Sequence, residues 1–232
     1  MNDDQVWLRE EWLESARKLA KWASLTPSDS RVLLLVRHSH RETIEDHTAQ
    51  LSTELTSLGC QMSTEFGRRI PSDRITRLFF SFVSRCFQTA EEISKGLRSN
   101  NAKIEEFDTL AILATPEIRD QSVWNELQPD GKNITDFVNR WAESEFGERI
   151  EPIEEYEVRL KRDLIERLKD DKASALHIHV THDLALMAAK RIFLERPVEW
   201  SDREPYLGGL GIVMNNGSSM LYIASSGREY HL

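Results

Sequence analysis

The chain has 232 residues, enough for one sizeable α/β domain with an inserted lid, and its 40% hydrophobic and 30% charged residues exclude wholesale disorder. A net charge of −9 argues against nucleic acid as a partner, because binding backbone phosphates needs an extended basic surface, but it leaves room for a few arginines focused on a small anion. There is no apolar run long enough for a membrane span, no basic and apolar leader in MNDDQVWLREEW, and only two cysteines, Cys60 and Cys86; a cytoplasmic protein with buried reduced thiols and no membrane partner is expected.

In chain order, residues 5–24 predict an amphipathic helix with Leu8, Trp12, Ala16, Leu19 and Ala23 on its buried stripe, within an N-terminal helical extension spanning residues 1–30. Trp7, Trp12 and Trp22 are expected to pack on the core and not to dock a partner. The run Val32 to Val36 then reads as a central strand buried on both faces. It stops at Arg37, His38 and Arg41, and the carboxyl end of such a strand is where ligands bind in open α/β sheets. An uncharged imidazole is a competent nucleophile near neutral pH, and two guanidiniums beside it would hold a phosphate or a carboxylate in bidentate geometry.

A polar loop over 44–54 leads to a helix over 55–70, with Leu55, Leu58, Met62 and Phe66 at helical spacing and Pro71 at its end. Residues 77–83 predict a second strand, followed by Arg85 and a helix with Phe87, Ala90, Ile93 and Leu97 facing inward. Residues 104–113 suit a third strand. The stretch 114–151 lacks a clean apolar period and reads as a lid, and a second amphipathic helix follows near 153–170.

ALHIHV, residues 175–180, forms another strand that runs into Thr181, His182 and Asp183 at a helix start, where Asp183 can serve as N-cap. GIVM and MLYIA, separated by a loop with Asn216 and Gly217, form an antiparallel edge hairpin. The order implies a single domain, a three-layer α/β/α sandwich with a mostly parallel central sheet, an antiparallel edge hairpin and a small lid insertion. His40 and His47 are expected to be solvated loop residues. Zinc bound by His177, His179 and His182 is the competing chemistry, disfavoured because the acid follows the last histidine; the expectation is no metal and no cofactor.

These pieces resemble the histidine phosphatase, or phosphoglycerate-mutase-like, superfamily from residue 31 to 224. The RHG signature stands as Arg37, His38, Ser39, and the LTxxG helix start as Leu55, Thr56 and Gly59. SRCFQTAEEI, with Arg85, Thr89 and Ala90, is similar to the arginine turn, and VTHD to the second histidine motif. RHSHR further resembles the RHGxRxP signature of the acid phosphatase branch, which also pairs its second histidine with an aspartate. Ser39 and Thr43 replace that signature's glycine and proline, so the loop backbone must differ.

The resemblance implies that His38 is the nucleophile and phosphohistidine carrier, that Arg37, Arg41, Arg85 and His182 bind the phosphoryl group, and that Asp183 donates the leaving-group proton. Glu117, Asp120 or Glu126 is the alternative donor, by analogy with the mutase branch. The implied activity is metal-independent hydrolysis of a small phosphorylated metabolite. A phosphomutase, or an inactive module that binds a phosphorylated ligand, is the alternative. The acidic lid disfavours highly phosphorylated substrates, and the sequence leaves the oligomeric state open.

Overall fold

The computed structural model describes residues 3–44, 51–171, 174–215 and 218–232. Seven strands, β1 (Arg31–Arg37), β2 (Ile75–Phe80), β3 (Ile104–Thr109), β4 (Ala175–Thr181), β5 (Gly209–Asn215), β6 (Ser218–Ile223) and β7 (Arg228–His231), form one sheet in the order β3-β2-β4-β1-β5-β6-β7. The first four are parallel to their neighbours among themselves, and the last three run antiparallel to theirs. Strands β1 and β4 lie at the centre, which is why VLLLV and ALHIHV bury every side chain.

Helices α1 (Asp3–Arg9), α2 (Glu14–Leu25), α3 (Ser57–Arg69) and α4 (Ser84–Ser99) cover one face, where Val32, Leu34, Val36 and Ile178 meet Phe66, Ile93 and Leu97. On the other face, Leu33, Leu35 and Phe79 meet Phe137, Tyr156, Leu168 and Leu186 from α5 (Ile134–Ala142), α6 (Ile153–Leu160), α7 (Arg167–Asp170) and α8 (Asp183–Phe193). Alternation along each strand divides one apolar run between two cores, so the fold is an α/β/α sandwich. A π-helical turn, Lys161–Glu166, joins α6 to α7 within the helical stretch expected over 153–170.

Several local expectations need correction. The N-terminal helix is broken at Glu10: α1 ends there, and a 3-10 turn, Glu11–Leu13, re-aims the chain into α2. The break shifts the buried stripe, leaving Leu8 65% exposed while Trp7 and Leu13 are buried. Trp22 stacks on Tyr222, and Trp12 packs against His40 and Tyr206.

Strand β2 stops at Phe80, where Ser81 turns away and its hydroxyl accepts from Val83 N. Strand β3 stops at Thr109 ahead of a 3-10 turn, Ala111–Leu113. On α4 the inward row is Cys86, Ala90, Ile93 and Leu97, and Phe87 is 40% exposed. The stretch 114–151 is well packed: Phe137, Val138 and Trp141 of α5 are buried, and their period escaped notice because that helix has only nine residues. The edge hairpin gains a third strand, β7, while its turn residues Asn216 and Gly217, like His47, lie outside the described residues. Both cysteines are free, and among the described residues no helix is long and apolar enough to cross a membrane.

His177 and His179 point into the α5–α8 core. His177 Nε2 lies 2.8 Å from the Asp171 carboxylate, while neither ring nitrogen of His179 has a hydrogen-bond partner. His182 lies past the strand end, away from this pair, and among the described residues no three His, Cys, Asp or Glu side chains are grouped to hold a metal. Burial, reinforced by His177 and Arg167, holds His179 well below the ordinary imidazole range. The unfolded chain therefore takes up a proton below about pH 6.5 that the folded chain refuses, and stability falls with acidification by at most about 1.4 kcal/mol per pH unit from this group. His179→Leu is expected to flatten the loss of urea midpoint between pH 7 and pH 5.5, the slope from other buried histidines remaining; an unchanged slope would show that His179 is not the group responsible.

Candidate active site

The site is assembled where β1 and β4 end. His38 N donates to Thr181 O at 2.9 Å, extending the parallel ladder one residue beyond β1. Ser39 N then donates to Thr89 Oγ1 (3.0 Å) and Ser39 Oγ to Gly59 O (2.8 Å). Ser39 is not among the residues with left-handed backbone, so its position does not require glycine, and its hydroxyl is satisfied. Thr56 caps α3 by accepting from Gly59 N at 3.0 Å, and Thr56 N donates to His40 O. Gly59 presses against the His40 carbonyl, where a Cβ would collide with backbone, so the helix start clamps the loop that carries the nucleophile candidate.

His38 Nδ1 lies 2.9 Å from Ser39 O. A carbonyl only accepts, so Nδ1 carries the proton and Nε2 keeps its lone pair. Arg85 Nε donates to that Nε2 at 3.1 Å, and Arg85 Nη2 donates to His182 Nδ1 at 3.1 Å. The latter bond leaves His182 Nε2 as the protonated nitrogen, donating to Ser81 Oγ at 2.9 Å. Burial first, and then Arg85 and other nearby cationic groups, hold both imidazoles well below their ordinary range, so both are neutral at pH 7. Burial also lowers Arg85, to about 10, still charged at neutral pH, and pushes the neighbouring Cys86 thiol up to about 12.

Arg37 lies over the Tyr206 ring (4.6 Å), donates to Glu204 O (2.9 Å) and sits 3.5 Å from the Asp183 carboxylate. Arg41 Nη2 donates to Asp130 Oδ1 at 2.6 Å. Asp183 is the first residue of α8, not its cap; its Oδ2 accepts from Arg203 Nε at 2.7 Å while Oδ1 has no hydrogen-bond partner. Arg37, His38, Arg41, Arg85, His182, Asp183 and Asp130 all line one cavity of about 420 Å³. Three guanidiniums, a neutral imidazole whose Nε2 lone pair accepts from one of them, and two carboxylates in a shared cleft are suited to phosphoryl transfer.

The family model of the histidine phosphatase superfamily (branch 1) matches residues 33–209, from β1 to the start of β5. The chain belongs to the histidine phosphatase superfamily. Its fold is similar to that of a provisionally assigned alpha-ribazole-5'-P phosphatase from Escherichia coli (16% identity, TM-score 0.53, covering 84% of this chain and 95% of that one). It is also similar to YhfR from Bacillus stearothermophilus (19%, 0.51, 86% and 94%) and to an open-reading-frame product from Mycobacterium tuberculosis (16%, 0.50, 83% and 96%). No curated protein matches the chain significantly. The matching model is that of branch 1, while the resemblance to the acid phosphatase branch rests on RHSHR and the His182-Asp183 pair.

In this superfamily member the six primary candidates, Arg37, His38, Arg41, Arg85, His182 and Asp183, come together, and the three alternative donors do not line the cavity. Asp120 caps a 3-10 turn through Ser122 N, Glu126 pairs with Arg140 and Arg149, and Glu117 is exposed beside Glu151. His40, expected in solvent, donates to or accepts from Thr56 Oγ1 at 2.9 Å and packs against Trp12 and Tyr206.

Sequence reasoning missed Asp130, Ser81, Arg203, Glu204 and Tyr206. Asp130 stands in a Pro-Asp-Gly turn, which signals only a loop, and its left-handed backbone (φ 59°) swings the carboxylate toward Arg41. The other late residues depend on a buried ion pair. Lys190, wholly buried on α8, donates to Glu204 Oε1 (2.6 Å), Asp202 O (2.5 Å) and Ser225 Oγ (3.2 Å), while Glu204 also accepts from Ser15 and Ser225 N. This pair pins the segment that carries Arg203 and Tyr206 and whose carbonyl holds Arg37. Removing one partner strands a buried charge, so Lys190→Met is expected to cost about 3–5 kcal/mol in urea unfolding; a loss under about 1 kcal/mol would mean that the interior relaxes around Glu204.

Proposed function

We propose that this protein is a metal-independent phosphomonoesterase that acts on a small phosphorylated substrate through a phosphohistidine intermediate. The observation that carries the reading is the neutral His38, its Nε2 lone pair accepting from buried Arg85 in a cavity that buried Arg37 and Arg41 also line. A phosphate monoester seated among Arg37, Arg41 and Arg85 presents its phosphorus to Nε2. The N–P bond forms as the P–O bond to the leaving alcohol breaks, and the guanidiniums and the His182 ring stabilise charge on the equatorial oxygens. Protonated Asp183 supplies the proton that the departing oxygen needs. As a carboxylate it then takes a proton from the water that attacks phosphohistidine, releasing phosphate and restoring His38.

Asp183 suits the donor role because it lines the cavity and its Oδ1 is unengaged, whereas Asp130 is bound to Arg41. Arg203 and Arg37 hold the other side of the Asp183 carboxylate and fix its direction. A phosphomutase would share the first half-reaction and return the phosphoryl group to an alcohol instead of water.

Hydrolysis of para-nitrophenyl phosphate by wild type and His38→Ala tests the reading. Turnover is expected in wild type, lost in the variant, with an acid-labile, alkali-stable phosphoryl adduct trapped on His38 in rapidly quenched wild-type protein; turnover without such an adduct would refute the phosphohistidine route. Because His38 stays neutral well below pH 6.5 in the free protein, its acid limb in kcat/KM is expected there also, and an acid limb at or above 6.5 that follows His38 would contradict the assignment. Asp183→Asn is expected to slow alkyl phosphates by about 10²-fold or more while affecting the nitrophenyl ester much less, since nitrophenolate leaves without a proton; equal slowing of both would make Asp183 a positioning residue.

A further inference from the structure

We propose that the substrate is a monophosphate of an uncharged, largely apolar alcohol, with an aryl ring as the fitting group; this rests on the phosphatase reading of the same site. Beyond the arginines the cavity is walled by Trp124, Leu127, Ile134 and Leu184. At its rim stand Leu51 and Phe82, which are 68% and 65% exposed although large and apolar. A ligand ring that covers them removes apolar surface from water on both partners. The remaining polar wall, Thr115, Gln121 and Gln128, is uncharged and can take a hydroxyl or an ether without demanding an ion.

Charge argues the same way. Every lysine or arginine that lines the cavity belongs to the phosphoryl end, and two of those three guanidiniums already face a carboxylate, Arg37 with Asp183 and Arg41 with Asp130. Arg203 pairs with Asp183 in the same cluster, so positive charge is concentrated at the one end of the cavity where a single phosphate would sit. A second phosphate or a carboxylate on the substrate, placed beyond the arginines, would be desolvated against the apolar side chains among the described lining residues. This wall disfavours phosphorylated hydroxy acids and bisphosphates and favours an apolar ester.

Phosphonates test this without turnover, because their P–C bond is not hydrolysed. Calorimetric affinities would be compared for inorganic phosphate, phosphonoacetate and 1-naphthylmethylphosphonate, with wild type and with Leu51→Ser/Phe82→Ser; both residues are exposed, so neither change opens the core. The naphthyl compound is expected to bind at least about tenfold tighter than inorganic phosphate, and phosphonoacetate no tighter than phosphate. The double variant is expected to lose roughly fivefold more affinity for the naphthyl compound than for phosphate. Phosphonoacetate binding as tightly as the naphthyl compound, or phosphate binding with no gain from the ring, would overturn the substrate class and leave the phosphatase reading standing. Failure of all three to bind would overturn both.

Discussion

Three guanidiniums withdrawn from water at one end of a sheet govern the arrangement around them. Arg37, Arg41 and Arg85 are each no more than 6% exposed, and stripping an ion of its hydration costs several kcal/mol even after relaxation. Each therefore draws compensating groups from parts of the chain far away in sequence. Arg37 takes the Glu204 carbonyl, the Tyr206 ring and the edge of Asp183; Arg41 takes Asp130 from the 114–151 stretch; Arg85 is spread over His38 and His182. The result is a cleft in which positive charge is held still before any ligand arrives, the condition under which electrostatic stabilisation acts without reorganisation.

The same charges decide the chemistry of the imidazoles. Desolvation and the adjacent guanidiniums both penalise a protonated ring, so His38 and His182 remain neutral where an exposed histidine would titrate. The Ser39 carbonyl claims Nδ1–H of His38, which leaves the Nε2 lone pair on the Arg85 side. Strand β4 shows the contrast within a few residues. His177 and His179 are equally buried but face the α5–α8 core, beside Asp171 and Phe79, and there neutrality serves packing.

Behind the cleft, the Lys190–Glu204 pair ties α8, the segment from 202 to 208 and α2 together through Ser15 and Asp202. Such a pair adds little net stability over an apolar substitute, but its directional hydrogen bonds fix a backbone whose carbonyl must point at Arg37. Positional precision at the site is obtained from a buried polar contact behind it.

Much of this was legible in the sequence where local rules dominate. The apolar runs of β1 and β4 and the period of α3 mark their own burial, and Arg37, His38, Arg85, His182 and Asp183 follow strand ends or helix starts, so topology alone gathers them. Boundaries failed where a single residue redirected the chain, as at Glu10 and Ser81, and Phe87 was assigned inward because Cys86, one position earlier, takes that row. Asp130, Arg203, Glu204 and Tyr206 carried no signal: each stands in a loop or turn, and its role comes from a partner far off in sequence. Sequence by itself determined the fold class and the residue types gathered at the candidate site, because alternation and strand-end placement are local. Only tertiary structure decided which nitrogen of His38 is available, which acids reach the cleft and what closes its far wall, because those depend on distances between segments that no local pattern encodes.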